Sequence, residues 1–318
     1  MREAADPLAP SDGPGKAFTA GRSDPCPFLM KADFPEAVAT RAVPRPVRSI
    51  AEVESFTFGD LSDWFNPFLD RFLRDTLASG GEAWVSIPDG TVEGAFLSCD
   101  AERSGSIFTR SPTIARQLYA LRDQLHVFSE MALDGPAESW HVLASELPRG
   151  SGAHRFSHPV RLAEPSDYPS ILRLMSEVLG AVDERWFRLL PRADERCLVV
   201  ELGGRLAGAA MVSRAGAVGR LHSLVVGPRY RGLGVGADLV QARLAWLEMM
   251  GAQQALTEIS DRNAVSLRIA ERAGLRRVGP MYEYSRVGPR GPPEGEAHVR
   301  GAPQFGQALT AGSMSDPQ

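Results

Sequence analysis

A turn rich in glycine and arginine carries the clearest chemical signal in this sequence. In the segment GPRYRGLGVGADLV, glycines alternate at Gly232, Gly234 and Gly236, and arginines stand at Arg229 and Arg231. Because glycine has no Cβ, such a backbone can turn its amides inward and let a phosphate approach closely. The helix predicted to follow adds unpaired N–H groups and the positive end of its dipole. The turn therefore predicts a binding site for a diphosphate.

Glycine-rich turns before helices are of several kinds, and the elements around this one distinguish between them. A dinucleotide-binding turn would follow the first strand of a parallel unit, with an acidic residue about 20 residues later. Here the turn follows the fourth predicted strand of its unit. A P-loop would end in Gly-Lys-Ser/Thr, and the sequence lacks that ending at this turn. A tight strand–helix connection with surface arginines remains as the alternative.

The elements that must position this turn form a mixed α/β unit. Periodicity, caps and turn residues predict their order. It is a strand at 159–163, a helix capped by Ser166, a helix over 182–190, a hairpin over 197–213, a strand at 219–226, the turn, a helix over 235–250, a strand at 255–260, a helix over 263–273, and strands near 275–278 and 281–287. Helices of this kind cover a sheet.

The first half of the chain repeats part of this order. Residues 84–98 and 198–213 are each two apolar runs around a polar turn, with Gly94 and Gly208 at matching places. Each segment is therefore predicted to be a β-hairpin.

The offset between the hairpins also places strand-like 139–146 on 253–260. Two matches at one offset predict a duplicated unit, and two unrelated α/β domains with similar hairpins are the alternative.

The predicted organisation is two units, 48–150 and 158–287, between two tails. The tails, 1–47 and 288–318, are rich in Pro, Gly and Ala and show no sustained periodicity. They carry too little apolar surface to offset the entropy of ordering, so we predict that both are disordered.

Composition is that of an ordinary soluble globular protein. The 318 residues are 43% hydrophobic and 23% charged, and the length fits two domains. A net charge of −4 gives no reason to expect nucleic acid or an anionic membrane as partner. No apolar run reaches the roughly 18 residues of a membrane span, and the N-terminus has no signal-peptide core.

Cysteine usage predicts a reducing, cytoplasmic location. Cys26, Cys99 and Cys197 are widely spaced and odd in number, which argues against a disulfide framework or a thiolate metal site. No His, Cys and Asp cluster has metal-ligand spacing, so we predict no metal.

With this order of motifs, residues 219–284 resemble the core of the GNAT superfamily of N-acetyltransferases. The family motif, Arg/Gln-x-x-Gly-x-Gly/Ala, is matched by Arg229, Gly232 and Gly234, and in an overlapping frame by Arg231, Gly234 and Gly236. The resemblance implies that the turn binds the pyrophosphate of acetyl-CoA, the cosubstrate, through backbone amides. The cofactor-binding residues that it implies are Leu224, Val225, Val226, Arg229, Arg231, Gly232, Leu233, Gly234, Val235, Gly236 and Asn263.

The elements on either side of the turn extend the resemblance to about 158–287. Val225 and Val226 match the strand whose backbone pairs with the pantetheine arm. Asn263, before a helix that ends at Gly274, resembles the family's asparagine helix.

The first unit resembles a degenerate copy of this domain. After its hairpin, Ser111, Pro112 and Thr113 stand where the glycines would be. We therefore predict that this half does not bind coenzyme A, and that it supports the other half or walls the substrate cleft. Tandem acetyltransferases with one inactive half, such as the mycothiol synthase type, resemble this plan.

The implied reaction is direct attack of an amine on the thioester, which calls for a base. At pH 7, neutralising an alkyl ammonium costs about 4–5 kcal/mol. The family often has a glutamate where Arg220 stands here, so the usual base is absent. His222 shares that strand face, and serotonin-type arylalkylamine acetyltransferases carry a histidine at the matching position. An unperturbed pKa of about 6.5 would suit a base, with a structural histidine as the alternative. Glu258 is the reserve base, or a surface charge.

The general acid of the family is also absent. The resemblance places a tyrosine at Ala270. Tyr282 or Tyr284 would replace it only if the last strand folds toward the sulfur. Without an acid, the coenzyme A thiolate can leave with help from water.

We therefore predict an α/β protein of two GNAT-like units, each a mixed, mostly antiparallel sheet flanked by helices, with disordered tails. The second unit is predicted to transfer acetyl or another short acyl group to a small-molecule or peptide amine. The alternative is a non-catalytic acyl-CoA-binding sensor or scaffold, which Arg220 and Ala270 keep open. The sequence carries no signal for the identity of the acceptor or for an oligomeric state.

Overall fold

A computed structural model describes most of the chain between the two predicted tails. The described residues are 43–78, 80–99, 104–120, 126–133, 135, 137–147, 156–179 and 194–285. The predicted helix over 182–190 lies outside them, as do residues 1–42 and 286–318 of the chain ends.

The first half contains eight described strands and three described helices. The strands are β1 Arg45–Val47, β2 Thr57–Phe58, β3 Glu82–Ser86, β4 Thr91–Val92, β5 Gly94–Cys99, β6 Ser104–Thr109, β7 His126–Ser129 and β8 Ala137–Glu146. The helices are α1 Ile50–Val53, α2 Leu69–Ala78 and α3 Pro112–Ala120. The predicted N-terminal tail, 1–47, is wrong in its last residues, because β1 pairs with β3.

The second half follows the predicted order closely. Its described strands are β9 Val160–Leu162, β10 Glu195–Leu202, β11 Arg205–Ala215, β12 Val218–Val226, β13 Gln254–Ser260 and β14 Arg276–Ser285. Its described helices are α4 Tyr168–Leu179, α5 Val235–Met249 and α6 Ala264–Arg272. The two last strands predicted near 275–278 and 281–287 are one strand, β14, whose register with β8 shifts between Arg277 and Gly279.

Strands from both predicted units form one mixed sheet of twelve strands flanked by helices. Its order is β1-β3-β5-β6-β7-β14-β8-β13-β12-β11-β10-β9, and β2 and β4 pair separately. Within the large sheet, the described pairings are antiparallel except β6 with β7 and β12 with β13. The order is symmetric about its centre. There β14, the last strand of the second half, lies beside β7, and β8, the last strand of the first half, lies beside β13.

The constant sequence offset therefore leads to a wrong correspondence. It places 139–146 on 253–260, but these segments are antiparallel neighbours, with Glu146 opposite Gln254 and Trp140 opposite Ser260. The strand that occupies the place of β13 in the first half is β7, which was not among the predicted strands. A shared apolar pattern cannot distinguish strands that correspond from strands that pair.

The glycine pair, in contrast, occupies equivalent places. A Cβ on Gly94 would overlap Ile114 of α3, and one on Gly208 would lie 2.8 Å from Val235 of α5. In each half, the helix after the turn packs directly on the second strand of the hairpin, and glycine allows this close approach.

The crossed strands connect the cores of the two halves. Successive strand residues face opposite sides of a sheet. In β8, Trp140 and Val142 are buried in the first half's aromatic core, whereas Leu143 is buried under α5 with residues of the second half.

Candidate functional site

The turn between β12 and α5 has the backbone that its glycines permit. Residues Pro228–Tyr230 make one 3₁₀ turn, and Gly232 and Gly234 then adopt φ angles of 82° and 91°. Residues other than glycine rarely adopt φ angles in this range. Gly234 is the N-cap residue of α5 and gives the helix no side-chain cap.

Several amides of this turn are open. The N–H groups of Gly232, Gly234, Val235 and Gly236 donate no hydrogen bond to a described residue. A Cβ on Gly232 would meet nothing within 4 Å, so side chains of the described residues do not fill the space beside it. Donors at an uncapped helix start form a ready site for an anion.

The cations predicted to join this site are exposed and have no carboxylate partner among the described residues. Arg229 and Arg231 both lie on the surface, and neither forms an ion pair with a carboxylate of the described residues. Leu233 is exposed as well.

A buried carboxylate holds a second segment against the turn. Asp238, in the first turn of α5, accepts hydrogen bonds from the backbone N–H of Ser157 at 2.9 Å and of His158 at 3.0 Å. It also contacts His158 Nδ1 at 2.7 Å. This bond places the imidazole 3.9 Å from where a Gly234 Cβ would be. The sequence carried a signal for this pair, an acidic residue in the first helical turn, but no prediction named it.

A cavity opens where β12 and β13 separate. Their parallel pairing covers only Val218–Arg220 with Gln254–Leu256. Beyond it, the register of β12 with β11 shifts, and Ser223 has a φ of 52°, the only positive φ among the described non-glycine residues. We call this opening the strand cavity. Its lining includes His222, Leu224, Arg243, Glu258, Asn263 and Ala270.

The strand cavity collects part of the predicted cofactor-binding set. Leu224 and Asn263 line it, and the Asn263 side chain also caps α6 by accepting a hydrogen bond from the N–H of Ser266 at 3.1 Å. The Val225 side chain instead faces α4 in a buried cluster. Val226 is partly buried against the core under α5.

The expected pKa of His222 is wrong. Burial lowers its pKa to about 4, the nearby charge of Arg220 adds to this, and Glu195 opposes it. Nδ1 lies 3.1 Å from Ser223 Oγ. Nε2 lies 3.4 Å from Glu195 Oε1 without hydrogen-bond alignment. The imidazole is therefore uncharged at neutral pH and a weaker base than expected.

Glu258 is not the surface charge that one prediction allowed. It is buried, and its two oxygens accept from Nε and Nη2 of Arg220 at 2.9 and 3.1 Å. Arg220 is only 1% exposed, and its guanidinium lies 5.6–6.0 Å from the ring centres of Phe72 and Phe65. Because both oxygens are occupied, Glu258 is placed as the partner of Arg220 rather than as a free base.

Tyr282 is not placed to act as the acid. Its strand, β14, crosses to pair with β7 and β8. Tyr282 and Tyr284 pack in an aromatic and aliphatic cluster of the first half, and the Tyr284 hydroxyl accepts a hydrogen bond from the N–H of Leu133. Neither tyrosine lines the strand cavity. The last strand does not fold toward the site, so this prediction is wrong.

The first half reaches the site through α2. Arg71 donates to Asp194 at 3.0 Å and also pairs with Glu195, the carboxylate beside His222. Together with the two phenylalanines beside Arg220, this contact packs the first half against residues next to the strand cavity. No local sequence pattern identifies such a contact.

The corresponding turn of the first half is closed. Ser111 Oγ accepts from the N–H of Ile114 at 3.4 Å, and the Ser111 carbonyl accepts from the N–H of Ala115 at 2.9 Å. The N–H of Ser111 itself donates to Thr109 Oγ1 at 3.1 Å.

A mixed sheet with a glycine turn between its fourth strand and a helix is the architecture of the GNAT acetyltransferases. Residues 165–275 match the model of the acetyltransferase (GNAT) family. This part of the chain is therefore a domain of that family.

Solved structures share this fold. A Drosophila protein aligns over 77% of this chain and 99% of its own, with 14% identity and a TM-score of 0.51. A GCN5-related N-acetyltransferase from Sphaerobacter thermophilus aligns over 64% and 80%, with 15% identity and a TM-score of 0.47. A tandem GNAT protein from the clavulanic acid biosynthesis pathway aligns over 66% and 84%, with 17% identity and a TM-score of 0.42. No curated protein matches the chain.

Membrane-spanning helices and metal-ligand clusters are both absent from the described residues. No described helix is long and apolar enough to cross a membrane. No group of three or more His, Cys, Asp or Glu side chains in the described part of the chain is placed to hold a metal ion.

Proposed function

We propose that this chain transfers an acetyl or other short acyl group from its coenzyme A thioester to an amine. One observation carries the proposal: a GNAT domain whose helix α5 begins with open amides at Gly232, Gly234, Val235 and Gly236.

The residues of the site fit the parts of an acyl-CoA in order. The open amides and the exposed Arg229 and Arg231 complement a diphosphate. Beyond Arg220, β12 has no described strand partner on its β13 side. The carbonyls of Leu221 and His222 accept from Thr257 and Arg243, so the backbone from Ser223 onward is the part proposed to pair with the extended pantetheine arm. The strand cavity then receives the thioester end.

The described side chains of the strand cavity include no strong base to remove the proton of the amine. The attacking amine must lose a proton, and His222 and Glu258 are the predicted bases. His222 remains the candidate, since it is neutral at pH 7 and lines the cavity, but a pKa of about 4 makes it a weak acceptor. We therefore propose that the proton leaves mainly through water.

A second candidate function is a non-catalytic acyl-CoA sensor or scaffold. Two observations favour it. Glu258, the reserve base, is held in an ion pair with Arg220, and Ala270 stands where the acid is expected. Turnover separates the two functions. Consumption of acetyl-CoA with any of a panel of amines, including peptides, supports the enzyme, whereas binding without consumption supports the sensor.

We also propose that the halves, 48–150 and 158–287, are two copies of one unit, of which only the second binds coenzyme A. The symmetric strand order, the equivalent contacts of Gly94 and Gly208, and the closed turn at Ser111 support this proposal.

Thermal stabilisation by coenzyme A tests the site itself. A ligand at 100 times its Kd stabilises a protein by about 2.7 kcal/mol. Gly234→Glu should abolish the shift, because a side chain and a negative charge enter the turn. Gly204→Glu is the matched control, since Gly204 also has a positive φ and open space around it but lies in the hairpin turn. Equal shifts in the two variants would overturn the proposed site.

A further inference from the structure

One charged residue interrupts the apolar face that α5 turns to the sheet. Residues at four-residue spacing lie on one helix face. Along this face stand Val235, Leu239, Arg243 and Leu247, and all four are buried, with Arg243 only 3% exposed. An arginine in the middle of a core stripe must be compensated, because burying an unpaired charge is costly.

The partners of Arg243 are carbonyl groups. Nε donates to the Leu239 carbonyl at 3.1 Å, and Nη1 donates to the carbonyls of Met211 at 3.2 Å and of His222 at 3.1 Å. Nη2 donates to no described residue, and no carboxylate of the described residues forms an ion pair with this guanidinium. Burial lowers its pKa to about 9, so the side chain remains a cation at neutral pH.

This cation and the position of the missing acid line the same cavity. Arg243 lines the strand cavity together with Ala270 and Asn263. Ala270 is the position where the family resemblance places a tyrosine that protonates the leaving sulfur. The cavity therefore lacks that proton donor but contains a fixed positive charge.

We propose that Arg243 stabilises the coenzyme A thiolate that leaves during acyl transfer, which replaces protonation by electrostatic stabilisation. The amine nitrogen forms a bond to the carbonyl carbon, the carbon–sulfur bond breaks, and its electron pair stays on sulfur. The proton of the amine passes to solvent, and solvent protonates the thiolate after release. Arg243 exchanges no proton, and its charge complements the one that develops on sulfur. This inference rests on the proposed function.

A bracing role for Arg243 is the competing hypothesis. It bonds to the carbonyls of Met211 and His222, which lie opposite each other next to the place where the register of β12 shifts. A test must therefore measure the charge effect on sulfur separately from the shape of the site.

The test is the thiol pKa of bound coenzyme A, measured from the ultraviolet absorbance of the thiolate against pH. In the wild-type protein we expect this pKa to lie below that of the free thiol. Arg243→Gln keeps a donor for the carbonyls but removes the charge, so the bound thiol should return to its free value. Arg243→Lys keeps the charge and should retain most of the depression. With an amine acceptor, Arg243→Gln should lose about 10²-fold in kcat, with little change in KM for acetyl-CoA.

Calorimetric binding of coenzyme A separates the failures. If the wild-type protein does not bind coenzyme A, the proposed function fails and the inference falls with it. If coenzyme A binds but the thiol pKa is the same in the wild-type and Gln proteins, only the inference is overturned. If Arg243→Gln and Arg243→Lys change the thiol pKa equally, the charge of Arg243 is not the cause, and its role is the structural one. Should the Gln variant not fold, an undepressed thiol pKa in the wild-type protein or in the Lys variant overturns the inference.

Discussion

The two strand–turn–helix segments of this chain, β6 to α3 and β12 to α5, share an architecture but differ in their free amides. Both helices pack on a hairpin glycine, Gly94 or Gly208. In the first segment, Pro112 has no N–H to offer, and the Ser111 side chain caps the helix by accepting from the N–H of Ile114. In the second, Gly234 gives no cap and the amides stay open. A helix start becomes an anion site only where the chain leaves it uncapped.

The strands before the two turns also differ, since β6 is regular and β12 is not. β6 pairs with β5 in unbroken register from Gly94–Thr109 to Cys99–Ser104. The register of β12 with β11 shifts near Ser223, and charged side chains are buried beside it. A regular strand with a capped helix is a stable connection, whereas an irregular strand with an open turn leaves room for a ligand.

The largest expected effect removes the buried ion pair of the second half, whose guanidinium lies over Phe65 and Phe72 of the first half. Arg220→Met leaves Glu258 buried without a partner, and losing one member of a buried ion pair destabilises a protein by about 3–5 kcal/mol. Denaturant unfolding measures the loss. The double variant Arg220→Met/Glu258→Met should recover most of it. A single variant as stable as the wild-type protein would contradict the buried pair.

The second prediction converts the open turn into the closed one. Gly234→Ser, Val235→Pro and Gly236→Thr together place the Ser-Pro-Thr of the first half at the equivalent cap and first two positions of α5. The stabilisation by coenzyme A, about 2.7 kcal/mol at 100 times Kd, should disappear in a thermal melt, because a cap and two Cβ atoms then occupy the site. A triple variant that folds and still responds to coenzyme A would show that the turn does not distinguish the halves.

The third prediction follows from the lowered pKa of His222. In the unfolded chain this histidine binds a proton near pH 6.5, whereas in the fold it does so near pH 4. Its contribution is therefore complete above about pH 6.5 and is lost as the pH falls toward 4. Between pH 7 and 5, the free energy of unfolding should fall by about 2 kcal/mol from this residue. Urea unfolding of the wild-type protein and His222→Gln checks this, and equal slopes of stability against pH would contradict it.

Local signals predicted the elements of the second half and its turn. Gly232 and Gly234 identify the turn because only glycine adopts its φ angles without strain. The crossing of β8 and β14 had no such signal, since strand exchange depends on contacts between residues far apart in sequence. For that reason the offset equated two strands that are in fact paired.

The chemistry of single side chains was less predictable than their positions. His222 and Glu258 both line the strand cavity, but their properties depend on distant partners. Burial and the charge of Arg220 lower the pKa of His222. The Arg220 guanidinium also donates hydrogen bonds to both carboxylate oxygens of Glu258. Arg243 escaped notice, although an arginine in an apolar helical stripe was visible in the sequence.

The smallest expected effect sharpens the comparison at the first turn of each helix. The first turn of α5 contains Asp238, whereas that of α3 has no acidic residue. Asp238 accepts three hydrogen bonds from Ser157 and His158. Asp238→Asn removes the charge that strengthens them, so urea unfolding should show a loss of about 1–2 kcal/mol. The matched control is Asp89→Asn, in an exposed turn of the first half, with an expected change within about 0.5 kcal/mol. Equal effects of the two substitutions would mean that Asp238 does not hold residues 157–158 on the open turn, and that the turn stands without this support.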